Sequence, residues 1–330
     1  MADVGSDLTI QHFDLSDFTF QDGTHLPSVR LAYTDINPTA SKVALLPTCF
    51  RGRISTTLTL CHGALKDHRI ILVALFGNGE SSSPSNTPNF PRQLDYHDCV
   101  RAQHALLTQK LHIASLDVIL GFSMGGQTAY HWTVLYPTFV RSAVIICSSA
   151  RTSLHNYQFL EGPRAALENS VDYPAPELDD QSGRASKGVQ AFGKAYSAWL
   201  TSAEWFDQEL YREMGCETLE QWDQAVTEVG YRGWHPDDLL GMLGMWQRGD
   251  VTKCDPNDED GALKSIKARV LLLPCETDQY FRPSASWREV KHIRNGEVDV
   301  IPSVWGHIAG GGASKKDTEW MDRRIAKFLA

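Results

Sequence analysis

The sequence predicts an α/β fold with a mostly parallel central sheet, flanking helices and an inserted helical cap. Short apolar runs alternate with helical patterns from about residue 42 to residue 150. Such alternation is typical of parallel strands joined by helices. It stops over 153–261, which is helix-rich, polar and aromatic, and apolar runs then resume. We therefore expect one core from 1–152 and 262–330, with 153–261 as the cap.

The first predicted elements form a β-hairpin. Residues 13–21 and 29–33 alternate loosely between apolar and polar side chains, as strands with one solvent-facing side do. Between them, Asp22-Gly23 is a typical turn pair. We expect this hairpin to be half exposed, unlike the strands that follow it.

The remaining elements follow from the spacing of apolar residues. Continuous apolar runs predict buried strands at 42–47, 69–75, 117–121, 143–147, 269–273 and 297–301. Apolar residues at helical spacing predict helices at 95–111, 127–136, 283–293 and 317–329. This order of elements is that of a parallel sheet covered on both faces.

The composition excludes several classes of partner. The 330 residues are 42% hydrophobic, which is ample for a buried core, and the formal net charge is -9. A negative chain lacks the basic face that nucleic acids require, so we expect a small-molecule substrate and no nucleic-acid partner. No apolar run approaches the length of a membrane span, and residues 1–7 are polar. We therefore expect no membrane association and a cytoplasmic location.

The cysteines show no pattern of disulfide bonding or metal binding. Their number is odd, they are scattered, and no C-x-x-C pair occurs. We expect most of them to be small buried apolar residues, and we expect no metal site and no cofactor. The seven are Cys49, Cys61, Cys99, Cys147, Cys216, Cys254 and Cys275.

A G-x-S-x-G motif, Gly121 to Gly125, lies between a predicted buried strand and a predicted helix. In this context a strained serine projects its Oγ above the sheet, and the two glycines leave room for strand and helix to cross. Ser123 is therefore the predicted nucleophile. The backbone N–H of Met124, at the helix start, is the predicted first donor to an oxyanion. An accidental match is the alternative, and the strand–turn–helix context argues against it.

A nucleophilic serine needs a general base and a carboxylate that orients it, and after this motif their chain order is Asp or Glu, then His. The last predicted strand leads to His307, the predicted base. The preceding strand leads to Asp278, the predicted acid, with Glu276 as its nearest competitor and Asp299 less well placed. The rival histidines lie in helices or loops without such a placement: His62, His68, His97, His104, His112, His131, His155, His235 and His292.

The loop after strand 42–47 is the expected source of a second oxyanion donor. It reads TCFRG from Thr48 to Gly52. We predict the backbone N–H of Phe50, with that of Cys49 as the alternative; a plain tight turn is the interpretation without a catalytic role. One such donor typically contributes about 2.7–4 kcal/mol to transition-state stabilisation.

These motifs resemble those of the homoserine O-acetyltransferase family of α/β hydrolases. The resemblance is strongest from residue 95 to about residue 160, through DCVRAQHALL, GFSMGGQTAYHW, LYPTFVRSAVIICSSART and HNYQFLEG. Weaker likeness occurs in FGNGESSSPSN, in DLLGMLGMWQRGD, and around Asp278 and His307. The resemblance implies the α/β-hydrolase fold and a catalytic triad of Ser123, Asp278 and His307. It also makes a homodimer through the cap an expectation.

Two positions depart from the family pattern. Members that acetylate homoserine usually have an aspartate after the base, where it helps to hold the ammonium of the amino acid; here the residue is Ile308. A buried ammonium without a partner is costly, which argues against homoserine as acceptor. Phe122 stands where these enzymes tend to have glycine, and it is expected to narrow the site. The chain therefore looks more like hydrolases related to this family.

Three functions are compatible with these residues. The first is a serine hydrolase that cleaves an ester or related acyl bond of a small, largely apolar molecule through an acyl-Ser123 intermediate. An aromatic cap favours an apolar substrate, although its tryptophans could equally be its own core. An O-acyltransferase with an acetyl-CoA-type donor and an acceptor other than homoserine is the alternative, and exclusion of water by the cap decides between the two. A non-catalytic small-molecule receptor is the third, and an intact triad argues against it.

Overall fold

A computed structural model of the chain describes residues 9–57, 63–174, 186–254 and 261–330. The strands of these ranges form a single sheet. They are β1 (Gln11–Thr19), β2 (His25–Ile36), β3 (Val43–Pro47), β4 (Arg69–Val73), β5 (Val118–Phe122), β6 (Ser142–Ile146), β7 (Arg269–Leu273) and β8 (Gly296–Val298).

The helices of the described ranges are α1 (Ile54–Thr57), α2 (Tyr96–Ala105), α3 (Met124–Leu135), α4 (Leu154–Glu168), α5 (Lys187–Ser197), α6 (Ala203–Asp207), α7 (Leu219–Gln224), α8 (Pro236–Arg248), α9 (Gly261–Lys264), α10 (Pro283–Glu289) and α11 (Lys315–Leu329). Two π-helical turns, Leu106–Lys110 and Ala225–Val229, continue α2 and α7. Short 3₁₀ turns occur at Leu210–Met214, Val251–Cys254, Val290–His292 and Gly306–Gly311. No helix in the described ranges has the length and apolar character that a membrane span needs.

The sheet order is β1-β2-β4-β3-β5-β6-β7-β8, and all pairs from β4 to β8 are parallel. β1 and β2 pair antiparallel, and β2 is antiparallel to β4. The predicted α/β architecture with a mostly parallel sheet is therefore confirmed. The carboxyl ends of parallel strands share one edge of a sheet, so the residues after β5, β7 and β8 are brought to the same side.

The predicted hairpin is present at the edge of the sheet. Its turn is closed by Phe20 N–H donating to the carbonyl of Thr24 at 2.9 Å and by Gly23 N–H donating to the carbonyl of Phe20 at 3.0 Å. β2 is longer than expected because it also pairs with β4 over Tyr33–Ile36. Its second half is consequently part of the main sheet, not only of the hairpin.

Alternate residues of the central strands supply two separate cores, one on each face of the sheet. Leu45 and Ile71 belong to one core, whereas their neighbours Leu46 and Leu72 belong to the other. This is the period-two alternation of a strand. Since both faces are apolar and covered, the central strands show the continuous apolar runs by which they were predicted.

The last strand differs from its prediction. Residues 297–301 were expected to be a buried strand, but β8 spans only Gly296–Val298 and is half exposed. It has one neighbour, β7, and lies at the sheet edge, where its far side faces solvent. The carboxylates of Glu297 and Asp299 there accept hydrogen bonds from the guanidinium of Arg324, at 2.5 and 2.7 Å.

The expectation that most cysteines are buried holds for half of the described ones. Cys99, Cys147 and Cys275 are buried, whereas Cys49, Cys216 and Cys254 are partly exposed, and all six are free thiols. Cys61 lies outside the described residues.

A close crossing of β5 and α3 sets the geometry of the turn between them. A Cβ on Gly121 would lie 2.1 Å from the carbonyl oxygen of Gly125, and a Cβ on Gly125 would lie 2.7 Å from the carbonyl oxygen of Pro47. These neighbours are backbone atoms, which cannot rotate away as a side chain can. Only glycine therefore fits at either position without moving the strand or the helix.

Replacing Gly121 with alanine should destabilise the protein and lower its activity, because the added methyl forces α3 away from β5. Overpacking of this kind costs about 1–3 kcal/mol. Thermal unfolding of Gly121→Ala should show a lower Tm. Gly162→Ala is the matched control: Gly162 lies inside α4 with open space around it, so alanine there should stabilise by about 0.5–1 kcal/mol. An unchanged Tm for Gly121→Ala would contradict the close crossing.

Candidate active site

Ser123 occupies the turn between β5 and α3 in a strained conformation, with φ 57° and ψ -123°. Its N–H donates to the carbonyl of Ile146 at 2.9 Å, and its own carbonyl accepts from the Ser148 hydroxyl at 2.7 Å. Although Ser123 precedes the helix, its side chain does not cap it. The Oγ is consequently free to point away from its own backbone.

His307 reaches this hydroxyl from the 3₁₀ turn after β8. Its Nε2 lies 2.9 Å from Ser123 Oγ, and its Nδ1 lies 2.7 Å from Asp278 Oδ2. The three residues are 3 to 4% exposed, so the hydrogen bonds between them lie in a nearly dry environment. The structure thus brings together the three side chains that the sequence singled out.

The carboxylate of Asp278 is fixed on its other side by backbone amides. Its Oδ1 accepts from the N–H groups of Tyr280 and Phe281, each at 3.0 Å. This leaves Oδ2 for the imidazole. Of the alternatives, Glu276 is exposed, and Asp299 is bound to Arg324. Neither takes the position of Asp278.

A short hydrogen-bonded chain holds the loop that carries His307. The hydroxyl of Thr277 accepts from Gly306 N–H at 3.1 Å and donates to the carbonyl of Ser303 at 2.8 Å. The Ser303 hydroxyl in turn donates to the carboxylate of Asp317, on α11, at 2.6 Å. These positioning residues were missed from the sequence because they join segments that only the fold brings together.

The backbone donors expected at an oxyanion site are present and unused. Within the described ranges, the N–H groups of Met124 and Phe50 donate no hydrogen bond to another residue, and neither does that of Cys49. Phe50 lies in a turn closed by Gly52 N–H donating to the carbonyl of Cys49 at 2.8 Å. Both Cys49 and Phe50 line the cavity that contains Ser123, so the choice between them stays open.

Ser123 and His307 open into a cavity of about 520 Å³. The core supplies one wall, including Phe122 and Ile308. The segment between β6 and β7 supplies the other wall, through Tyr196, Leu200, Met214, Trp222 and Val226. The reactive groups therefore face a largely apolar space.

The tryptophans of this segment are mostly structural. Trp205, Trp222, Trp234 and Trp246 are buried, and only Trp222 lines the cavity. Trp205 and Trp222 pack on one another with ring centroids 5.3 Å apart. Trp246 also stacks on Phe281, with ring centroids 5.6 Å apart, so most of these tryptophans pack in the core of the protein rather than line the cavity.

Phe122 narrows the site, as its position predicts. Its ring lies 4.7 Å from that of His307, centroid to centroid. A Cβ on Gly310 or Gly311 would meet the Phe122 ring at 3.0 or 3.2 Å. The absence of side chains at Gly310 and Gly311 thus leaves room for the phenylalanine ring.

Two neighbouring features do not belong to this constellation. Cys147 lies beneath Asp278 and His307, and burial raises the pKa of its thiol well above the usual value, so it stays a neutral packing group.

A second cavity, of about 600 Å³, surrounds Arg282 and Glu289 and is lined by neither Ser123 nor His307. It is larger, but none of the three side chains Ser123, Asp278 and His307 lines it.

Comparisons with known proteins agree with this geometry. Residues 60–310 match the family described as the alpha/beta hydrolase fold. The chain is 31% identical to an ethyl acetate hydrolase of Pseudomonas veronii, over 94% of this chain and 92% of the relative. It is 28% identical to a homoserine O-acetyltransferase of Haemophilus influenzae, over 77% and 72% of the two chains. The solved acetyl esterase MekB superposes with a TM-score of 0.90 at 29% identity, over 97% and 96%.

The chain therefore belongs to the α/β-hydrolase family and is an enzyme of the serine-hydrolase class. Its predicted resemblance to the homoserine O-acetyltransferases and their hydrolase relatives is confirmed.

Replacing Asp278 with asparagine should leave the fold intact and lower kcat by about 10⁴-fold, as for the equivalent change in serine proteases. The amides of Tyr280 and Phe281 require an acceptor, so the asparagine must turn its oxygen to them and its NH₂ to His307. His307 would then accept at Nδ1 and carry its proton on Nε2, where it cannot accept the proton of Ser123. Ester turnover by Asp278→Asn is the measurement. Glu276→Gln, an exposed carboxylate nearby, should retain activity; equal losses in both variants would contradict the assignment.

Proposed function

We propose that this enzyme hydrolyses short acyl esters, of the acetyl type, of small and largely apolar alcohols. The observation that carries the proposal is the alignment of Ser123 Oγ, His307 and Asp278, at 2.9 and 2.7 Å, at the base of an apolar cavity. The activities printed for two similar proteins, an ethyl acetate hydrolase and an acetyl esterase, support the acetyl part.

The proposed reaction passes through an acyl-enzyme. Ser123 Oγ attacks the ester carbonyl while His307 Nε2 takes its proton, and Asp278 holds the imidazole and stabilises its charged form. The backbone N–H of Met124 and that of Phe50, or alternatively Cys49, stabilise the oxyanion. The imidazolium then protonates the departing alcohol, and a water molecule activated by the same imidazole releases the carboxylic acid and restores Ser123.

The size and polarity of the cavity favour a short acyl group and an apolar alcohol. The Phe122 ring beside His307 occupies space that a longer acyl chain would need. Ile308 lies on the cavity wall directly after the base, where an ammonium-binding carboxylate would be required for an amino-acid acceptor. Among the described lining residues there is no aspartate or glutamate.

The cationic side chain of this wall, that of Arg51, already has partners within the protein. The Arg51 guanidinium lies 3.7 Å from the centroid of the Tyr231 ring and donates to the carbonyl of Gly230 at 2.6 Å. Stacking on an aromatic face and a hydrogen bond both stabilise its charge. It is therefore a packing group that joins the wall to the segment between β6 and β7. A charged acceptor would have to displace these contacts.

An O-acyltransferase using the same acyl-Ser123 intermediate is the second candidate function. The similarity to a homoserine O-acetyltransferase favours it, as does the small exposed fraction of Ser123, 3%, which limits access of water. The apolar wall around Ile308 argues for an acceptor other than homoserine.

We further propose that the segment 153–261 acts as a cap over the site. We also propose that two caps pair in a homodimer and that the enzyme is cytoplasmic. The five wall residues from this segment support the cap. Leu154, 90% exposed, and Tyr157, 44% exposed, lie one turn apart at the start of α4 and offer an apolar surface for pairing. Free thiols at all six described cysteines fit a reducing compartment. A monomer mass by light scattering would contradict the dimer.

The experiment that tests the proposed function follows release of acetate from an alkyl acetate by the wild type and by Ser123→Ala. Removing the nucleophile should lower kcat by several orders of magnitude, because only binding and oxyanion stabilisation remain. Ser265→Ala is the control, since its hydroxyl donates to the carbonyl of Ala262 and Ser265 does not line the cavity that contains Ser123. Substantial turnover by Ser123→Ala would refute the nucleophile.

Hydrolysis and transfer are separated by repeating the assay with an acetyl ester or acetyl-CoA, with and without alcohol and amino-acid acceptors. The proposal predicts acetate release that is independent of acceptor. Product that forms only with an acceptor, with negligible acetate, would establish the transferase instead.

A further inference from the structure

Three side chains from separate elements meet on the far part of α3. They are His97 of α2, His131 of α3 and Cys254, the last residue of the 3₁₀ turn Val251–Cys254. One ligand atom from each lies within 4.8 Å of the other two. The Nε2 of His97 is 3.5 Å from the sulfur of Cys254. Imidazole nitrogen and thiolate sulfur are the ligands that zinc prefers in proteins.

The spacing of two of the ligand atoms matches that of a tetrahedral zinc site. Zinc–sulfur bonds of about 2.3 Å and zinc–nitrogen bonds of about 2.0–2.1 Å place sulfur and nitrogen about 3.6 Å apart. The measured separation of 3.5 Å between Cys254 Sγ and His97 Nε2 matches this value. An ion could therefore bridge these two ligands without moving either of them.

Both histidines have the outer partners that metal-bound histidines usually have. The Nδ1 of His97 faces the Asp95 carboxylate at 3.2 Å, and the Nδ1 of His131 faces the carbonyl of Gln127 at 2.7 Å. Those oxygens direct the proton of each neutral ring to Nδ1, so that Nε2 can bind a metal ion once any proton on it has left. A carboxylate or backbone carbonyl that fixes the ring in this way is the recurring second shell of zinc sites.

Two of the three ligands are accessible to solvent. His131 is 2% exposed, whereas the side chain of His97 is 22% exposed and Cys254 is half buried. Asp95 and Cys254 raise the pKa of His97 to about 10, so an entering metal ion must displace a proton from this ring.

We propose that His97, His131 and Cys254 form a binding site for one borderline-soft divalent cation of the Zn²⁺ class. A fourth position is left for water. The sequence predicted no metal site because its three ligands are far apart in the chain and follow no spacing motif. A second cluster, Cys147 with Asp278 and His307, has similar ligand types, but its imidazole and carboxylate are engaged in the triad. The proposed site does not depend on the proposed hydrolytic function.

A metal ion here would tie the exit end of the segment between β6 and β7 to the core. Val251 N–H donates to the carbonyl of Ala150 at 3.0 Å, and Thr152 N–H donates to the carbonyl of Gly249 at 2.8 Å, so the entry and exit strands already lie side by side. Cys254 follows the exit, and the two histidines belong to the core. Since His131 is eight residues along α3 from Ser123, the site is about 12 Å from the nucleophile. Its expected effect is on stability rather than on catalysis.

The experiment is a titration of the chelator-treated, dialysed protein with Co²⁺, followed by displacement with Zn²⁺. Thiolate-bound cobalt absorbs through sulfur-to-metal charge transfer, so the wild type should develop this band at one equivalent and lose it when zinc is added. Zinc should also raise the Tm of the wild type. Cys254→Ser should abolish the band and the Tm increase. His97→Gln and His131→Gln should each weaken zinc binding by about tenfold or more.

Two further variants keep the test specific. Cys216→Ser removes another partly exposed thiol and should leave the cobalt band unchanged. Asp95→Asn removes the negative charge beside the His97 ring while keeping an oxygen that can cap α2, and it should weaken zinc binding by about 10–100-fold. Circular dichroism of each variant checks that it is folded. Absence of the thiolate band in the wild type, or equal zinc affinity in the wild type and folded Cys254→Ser, would overturn the proposal.

Discussion

The strained backbone of Ser123 is the constraint on which the rest of the structure depends. A non-glycine residue at φ 57° and ψ -123° costs on the order of 1–3 kcal/mol and persists only where its surroundings leave no other choice. Here Ile146 and Ser148 bind both sides of its peptide backbone, and Gly121 and Gly125 let strand and helix cross beneath it. The cost is offset by the buried sheet, and it lifts the hydroxyl clear of the main chain.

The rest of the proposed triad is a chain of hydrogen bonds that ends at backbone amides. Ser123 contacts His307, His307 contacts Asp278, and Asp278 is held by the amides of Tyr280 and Phe281. None of these groups needs to reorient when charge develops, which is the main source of electrostatic catalysis in such sites. The parallel sheet makes this possible because it places the ends of β5 and β7 at one edge.

Local chemistry explains what could be predicted from the sequence and what could not. Strand ends and chain order predict the turn at Ser123 and the positions of Asp278 and His307. Continuous apolar runs predict the buried strands. The predicted length of the exposed edge strand β8 was too great, because the apolar residues of this strand cover only one of its sides. Contacts between distant segments create the hydrogen bonds that hold the His307 loop, the wall of the cavity and the cluster at Cys254. A single sequence carries no local signal for such contacts.

The most direct test of the account is the site of covalent modification by a fluorophosphonate, read by mass spectrometry of the intact protein and of its peptides. An activated serine in contact with an imidazole attacks this reagent, whereas ordinary serines do not. The account predicts one adduct per chain, located on Ser123, and its loss when His307 is replaced by glutamine. An unmodified protein, or an adduct on another serine, would contradict it.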